Sequence, residues 1–155
     1  MPSENRTRMR SSFPPTPSEI ERVPARYLFA ISAVSETSED RTTTGELREY
    51  LDVTPASVTE MLSKLDDRGL VDYETYRGAT LTDRGEALAM RVSWRFCVVS
   101  TFFDSELDTR LDERTAFDIG FVLPKNSVYR LQELSGSPCL DLCPEARHGV
   151  DGCVV

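Results

Sequence analysis

Three of the four cysteines and the single histidine of this 155-residue chain lie close together near its end. Cys139, Cys143, His148 and Cys153 follow the spacing C-x3-C-x4-H-x4-C, where x is any residue. Thiolate and imidazole are preferred ligands of tetrahedral Zn²⁺, so this spacing predicts a zinc site of the Cys3His type. Two alternatives stay open: a redox switch that uses the same thiols, and a tail whose cysteines have no role. The fourth cysteine, Cys97, lies among apolar residues and is expected to be a small buried hydrophobic group.

The composition is that of an ordinary globular protein, with 39% hydrophobic and 28% charged residues. The chain has no run of about 18 apolar residues, and its start lacks the apolar core of a secretory signal. We therefore expect a cytoplasmic protein with no membrane partner, in a compartment where clustered thiols bind metal or sense redox state. The sequence has no nucleophile–base pair, glycine-rich phosphate loop or paired carboxylates, which argues against an enzyme and leaves no catalytic residue to assign.

The apolar spacing of the first half of the chain predicts three helices. The first is expected over residues 19–35. Its apolar face comprises Val23, Tyr27, Leu28, Ile31 and Val34. Thr43 and Glu46 form the sequence signature of a capping box, which begins the second helix. Thr54 followed by Pro55 begins the third.

Beyond the third helix the apolar period changes. The β-prone run 70–82 turns at Arg77-Gly78, which predicts a hairpin. A long helix capped by Asp83 follows, and because its apolar residues cover more than one face we expect a second subunit to bury part of it. Those residues are Leu88, Val92, Trp94, Phe96, Val98, Val99, Phe102 and Phe103. Two further helices are predicted, the last over residues 124–136.

These elements divide the chain into four parts. Residues 1–18 are predicted to be a disordered arm, and residues 19–85 a winged helix-turn-helix domain. Residues 86–136 form a predicted helical dimerisation region, and residues 137–155 the Cys/His-rich tail. The fold class is therefore mainly α with a small β-hairpin wing. In this architecture the second helix of the pair enters the major groove of double-stranded DNA.

The candidate DNA contacts are polar residues at the start of the third helix and at the hairpin tip. Hydroxyls hydrogen-bond phosphates or bases, a glutamate accepts from the amino group of cytosine, and cations contact phosphate. The predicted set is Thr54, Ser57, Thr59, Glu60, Lys64 and Arg77. The net charge of −8 opposes DNA binding, and residues 43–85 themselves carry nine acids against five bases. We therefore expect few phosphate contacts.

Three stretches carry a resemblance to a known family: VTPASVTEMLSKLDDRGLV, the hairpin YETYRGATLT, and the T-x-x-G that begins the next helix. They are similar to the DtxR/MntR family of metal-dependent transcriptional repressors. The likeness covers roughly residues 19–136 and is most specific over residues 53–85. It implies a winged-helix domain, a helical dimerisation domain, a homodimer on a partly palindromic operator, and a switch worked by Fe²⁺ or Mn²⁺.

The metal ligands of that family do not carry over to this chain. When the chain is laid on the family pattern, apolar or unsuitable residues occupy the ligand positions. These are Arg26, Phe29, Phe96, Ser100, Phe117, Gly120 and Phe121. Phenylalanine and glycine side chains offer no ligand atom. We therefore expect no Fe or Mn at these positions, and the chain resembles a divergent member that lacks the usual ligands.

We thus interpret the protein as a sequence-specific DNA-binding transcriptional regulator. It is expected to be a dimeric repressor that responds to metal or redox state through its tail. One alternative is a MarR-like winged-helix regulator with another class of effector. Another is a protein-interaction module that has lost DNA binding. The polar face of the third helix and the YRG of the wing favour DNA binding over the latter.

Overall fold

The computed structural model describes residues 20–35 and 40–136, and within these ranges six helices and one hairpin follow one another. The helices are α1 (Arg22–Val34), α2 (Thr44–Leu51), α3 (Pro55–Asp67), α4 (Asp83–Leu107), α5 (Glu113–Val122) and α6 (Lys125–Ser135). The hairpin strands are β1 (Val71–Glu74) and β2 (Gly78–Leu81). The predicted arm and tail lie outside the described residues. The order confirms the predicted fold class, mainly α with a hairpin wing.

Side-chain caps fix the starts of α2 and α3, as the sequence predicts. Thr43 Oγ1 accepts a hydrogen bond from the Glu46 amide at 3.1 Å, and the Glu46 carboxylate accepts from the Thr43 amide at 2.8 Å. Thr54 Oγ1 accepts from the Ser57 amide at 3.2 Å. These bonds satisfy amides that have no partner inside a helix. Residues that are close in sequence therefore determine where each helix of the pair begins.

The long helix α4 is capped by Thr82 rather than by Asp83, which corrects the sequence-based assignment. Thr82 Oγ1 accepts from the Gly85 amide at 3.1 Å and donates to the Gly69 carbonyl at 2.7 Å. Asp83 is the first helical residue, where a negative charge interacts favourably with the helix N-terminus. A Cβ atom on Gly85 would lie 1.8 Å from the Leu70 carbonyl oxygen. The T-x-x-G motif thus packs the start of α4 against the turn that follows α3.

The main core forms where α1 packs against α3, the hairpin and the first half of α4. The buried residues of α1 are Ala25, Tyr27, Leu28, Phe29, Ala30 and Ile31. The sequence places Val23 and Val34 on the buried face, but Val23 is 53% exposed and Val34 is half-buried. The difference has a physical cause: α4 and α5 also pack on α1 and bury Phe29, so the covered face is turned away from Val23.

A second apolar face of α4 is covered by α6 of the same chain. Trp94 and Val98 pack with Val128 in a separate cluster, and Trp94 Nε1 donates to Gln132 Oε1 at 2.8 Å. The expectation that a second subunit buries this face is therefore wrong for Trp94 and Val98. Leu134, which lies on the predicted apolar side of α6, is 52% exposed. Among the described residues, no helix combines the length and apolar character that crossing a bilayer requires.

Arg95 is buried and joins α4 to the end of α5. Its Nη1 donates to the Gly120 carbonyl at 3.1 Å and to the Leu123 carbonyl. Burial lowers the pKa of Arg95 to about 10. The two helices approach closely here, because a Cβ atom on Gly120 would lie 2.9 Å from the Arg95 carbonyl oxygen. A buried charged donor and a glycine thus fix the contact between α4 and α5.

Candidate nucleic-acid interface

The N-terminal half of α3 has one face in the core and one face in solvent. Val58, Leu62 and Leu65 are fully buried, so the helix is held by its apolar stripe. The predicted DNA contacts on α3 and its cap are all exposed. They are Thr54, Ser57, Thr59, Glu60 and Lys64. The structure therefore presents these residues to solvent on a helix whose opposite side is anchored.

Several of these side chains already have partners on the helix itself. Ser57 Oγ lies 2.8 Å from Thr54 Oγ1, and Thr59 Oγ1 donates at 3.1 Å to the carbonyl one turn earlier. The Glu60 carboxylate pairs with the Lys64 ammonium at 3.1 Å. Exposed i,i+4 pairs of this kind contribute only about 0.5 kcal/mol or less. These contacts orient the exposed side chains, but they are weak enough to be replaced by contacts with a ligand.

The hairpin forms a wing that is attached to the helix pair. Its antiparallel register pairs Val71 with Leu81. Thr42, just before α2, forms an isolated bridge to Ala79 through two backbone hydrogen bonds of 2.9 Å. Gly78 allows this approach, since a Cβ atom there would lie 2.3 Å from the Thr42 carbonyl oxygen. This bridge fixes the position of the wing relative to α2, and it is not predictable from local sequence.

The tip of the wing is exposed to solvent, while ion pairs hold its base. Arg41 pairs with Asp72 and Glu74, each at 3.2 Å. Arg77, the predicted wing contact, pairs with Glu74 at 2.9 Å and keeps 71% of its side chain exposed. Tyr76 beside it is fully exposed and has a φ of 67°, in the left-handed region. Tyr76 is therefore a further candidate contact that was not predicted, although its place in the hairpin turn next to Arg77 is visible in the sequence.

The positions that the family resemblance assigns to metal ligands are occupied by an aromatic cluster. The ring centroid of Phe29 lies 5.0 Å from that of Phe96 and 5.5 Å from that of Phe117, and Phe121 stacks on Phe117 at 6.2 Å. The Arg26 guanidinium lies over the Phe117 ring, 5.4 Å from its centroid. Within residues 20–35 and 40–136, no group of three or more His, Cys, Asp or Glu could hold a metal ion. The residues present at these positions do not fit Fe²⁺ or Mn²⁺.

One polar contact lies beside this cluster and joins α2 to α5. Tyr50 Oη donates to Glu113 Oε1 at 2.6 Å. Burial, together with this hydrogen bond, raises the pKa of Tyr50, while the nearby Arg26 acts in the opposite direction. The phenol therefore stays protonated and remains a donor over the physiological range of pH.

The cysteines fall into two groups. Cys97 on α4 is half-buried and packs against the cluster of Trp94, Val98 and Val128, which agrees with the apolar surroundings expected from the sequence. The predicted zinc ligands Cys139, Cys143, His148 and Cys153 lie outside the described residues. Their role stays a prediction.

Comparison with known proteins shows what the first half of the chain is similar to. A family model described as iron dependent repressor, N-terminal DNA binding domain, matches residues 21–79. The HTH-type transcriptional regulator MntR of Lysinibacillus sphaericus (strain C3-41) is 36% identical over 88 residues, which are 57% of this chain and 59% of that protein. An uncharacterised HTH-type transcriptional regulator of Methanocaldococcus jannaschii is 36% identical over 97 residues, covering 63% of this chain and 70% of that protein.

The fold is also similar to that of solved structures. A manganese-dependent transcriptional repressor in complex with manganese superposes with a TM-score of 0.66 at 29% identity. The superposition covers 74% of this chain and 53% of the other. This chain thus spans under two thirds of the MntR relative and about half of the solved repressor. The region matched by the family model contains α1, α2, α3 and β1, the elements that position the candidate interface.

Proposed function

This chain belongs to the DtxR/MntR family of metal-dependent transcriptional repressors, and on that premise we propose that it is a sequence-specific, DNA-binding transcriptional repressor. The observation that carries the proposal is the exposed polar half of α3, anchored in the core and flanked by a fixed wing. In the complex, α3 lies in the major groove with Ser57, Thr59 and Glu60 at base edges. Arg77 and Tyr76 contact the sugar-phosphate backbone. No catalytic activity is proposed, because the relatives are regulators.

The proposed repressor is a homodimer that acts on chromosomal DNA in the cytoplasm. Large apolar side chains stay exposed at the ends of α4 and α5, with Leu107 at 52% and Val122 at 64% exposure. Burial of such residues favours association with a second copy. Two copies place two α3 helices on two half-sites, which suits a partly palindromic operator.

The proposal is tested by selecting duplexes from a random pool with the purified protein and titrating the enriched sequence by fluorescence anisotropy. We expect the selected duplex to bind at least about 10³-fold more tightly than a scrambled one. Lys64→Ala removes a phosphate contact, so it should weaken binding to both duplexes equally, by on the order of 1 kcal/mol. Arg130→Ala, a similarly exposed cation on α6, is the control and should change nothing.

Failure to enrich any sequence would reject DNA binding. It would favour the alternative that this winged helix is a protein-interaction module. A Lys64→Ala effect confined to the selected duplex would instead assign Lys64 to base recognition.

We also propose that the tail supplies the switch that the aromatic cluster cannot supply. Cys139, Cys143, His148 and Cys153 hold one Zn²⁺ in this proposal. In the alternative version, one or more of the thiols of Cys139, Cys143 and Cys153 form a redox switch. Both versions place the control of repression outside the positions that the family uses for Fe²⁺ or Mn²⁺.

The two versions are separated by measuring the zinc content of protein purified under reducing conditions. We expect about one zinc per chain, lost in Cys143→Ser together with operator affinity and retained in the control Cys97→Ser. Absence of zinc, with DNA affinity that depends on the reductant, would establish the redox switch instead. Absence of zinc with unchanged DNA affinity in both variants would leave the tail without a regulatory role.

A further inference from the structure

A cavity of about 360 Å³ lies between α1, α3 and the first turn of α5. Its volume falls in the range of small-molecule sites. The cavity is separate from the aromatic cluster but shares Arg26 with it. Ser57, Glu60 and Lys64 of α3 form one of its walls, so the candidate interface residues and the cavity share side chains.

The charged groups of the cavity favour an anion. Three cations line it, Arg26, Lys64 and Arg114, against the single acid Glu60. Glu60 is already paired with Lys64 at 3.1 Å, which leaves an excess of positive charge on the wall. In a chain of net charge −8 such a local excess is unusual. A bound anion would be attracted here more strongly than elsewhere on the domain.

Arg26 lines this cavity, and one donor of its guanidinium group is unsatisfied. Its Nη1 is buried and has no hydrogen-bond partner, and its guanidinium is held over the Phe117 ring. A buried charged donor without an acceptor is destabilising. A carboxylate is the acceptor that a planar guanidinium binds best, through two parallel hydrogen bonds.

The rest of the lining is apolar and suits the body of an organic molecule. Val23, Tyr27, Leu51 and Met61 contribute to it. Val23 is 53% exposed and lines the cavity, so its apolar side chain is open to a ligand there. Methionine adapts its shape to different apolar ligands. An inorganic anion would leave this apolar surface unused.

From these observations we propose that the cavity binds a small organic carboxylate with an apolar or aromatic body. The carboxylate pairs with Arg26 and Lys64, and the apolar body packs on Val23 and Met61. Occupation draws Lys64 away from phosphate and adds negative charge next to α3, so the ligand lowers DNA affinity. This last step rests on the proposed function, whereas binding itself does not.

Binding is tested without DNA, by calorimetric titration of the full chain with 2-naphthoate. Its neutral analogue 2-naphthamide has the same shape, and acetate has the charge without the apolar body. We expect 2-naphthoate to bind at least about tenfold more tightly than either analogue, because only it uses both parts of the site. Equal affinity for 2-naphthoate and the amide, or for 2-naphthoate and acetate, would overturn the proposal, as would no binding of 2-naphthoate.

Variants assign the site to this cavity. Arg26→Gln removes the charge and should weaken 2-naphthoate binding about tenfold. Arg22→Gln, on the same helix but outside the cavity, should leave binding unchanged. Lys64→Gln alters an exposed residue that folding does not require, and it should also weaken binding. Equal loss in Arg22→Gln and Arg26→Gln, or no loss in Lys64→Gln, would contradict the assignment.

A titration of the selected duplex in the presence of 2-naphthoate tests the regulatory step. We expect the ligand to weaken DNA binding in the wild type and to have less effect in Arg26→Gln. Ligand binding with unchanged DNA affinity would overturn the regulatory step but keep the site. A protein that binds 2-naphthoate but enriches no duplex would reject the proposed DNA-binding function and leave the ligand site standing.

Discussion

Phe117→Ala is expected to lower the free energy of unfolding by about 3–5 kcal/mol, the usual range for truncating a buried phenylalanine. Phe117 is 1% exposed and lies at the centre of the aromatic cluster, between Phe29 and Phe121, with Arg26 over its ring. Truncation removes apolar burial, two ring contacts and the support of the Arg26 guanidinium. Denaturant unfolding followed by the fluorescence of Trp94 measures the change.

The control for this prediction is Phe103→Ala. Phe103 is half-buried on α4, and its ring contact is with Phe102, 6.1 Å away, rather than with the cluster. Its truncation should be less destabilising because less area is lost. Equal losses in the two variants, or a loss below about 1 kcal/mol in Phe117→Ala, would show that the aromatic cluster is not a central part of the core.

Local features of this fold were predictable from sequence. The capping box of Thr43 and Glu46, the Thr54 cap and the helix-ending Gly69 depend on residues within a few positions of one another. The structure shows the two caps, and Gly69 has a φ of 73°. Their order along the chain, followed by a hairpin, was enough to predict a winged helix-turn-helix.

Features that depend on distant parts of the chain were not predictable. The bridge from Thr42 to Ala79 joins residues that lie on either side of the helix pair. Arg95 is only 4% exposed, whereas composition rules expect arginine in solvent. Apolar periodicity identifies a helix face but not how much of it is covered, which explains the errors at Val23 and Leu134.

The candidate site also contains residues that could be predicted from the sequence and residues that could not. The sequence identified the polar residues of α3, because helical spacing separates them from the buried stripe. The residue types at the positions that the family resemblance assigns to metal ligands are likewise read directly from the sequence. The sequence did not identify the cavity, because Arg26, Lys64 and Arg114 come from three different helices. Nor did it identify Tyr76, whose exposure follows from the geometry of the turn.

Restoring two of the family's ligands with Gly120→Glu and Phe121→His is expected to destabilise the protein by roughly 3 kcal/mol or more. A Cβ atom on Gly120 would lie 2.9 Å from the Arg95 carbonyl oxygen, so α5 must shift away from α4. The new carboxylate would also enter the buried contact between α5 and the Arg95–Phe96 segment of α4. Saturating Mn²⁺ should not raise the melting temperature of the double variant, because the remaining positions still offer no carboxylate, imidazole or thiolate.

Gly120→Ala separates the two causes, since it adds the Cβ atom without the carboxylate. We expect it to account for part of the loss, about 1–3 kcal/mol. A double variant that is as stable as Gly120→Ala and gains stability with Mn²⁺ would contradict this account, because the old metal position would then need only its ligands. The expected result instead means that the close contact between α5 and α4 at Gly120 leaves no room for the two ligands. A metal ion would then have to be bound by residues other than these.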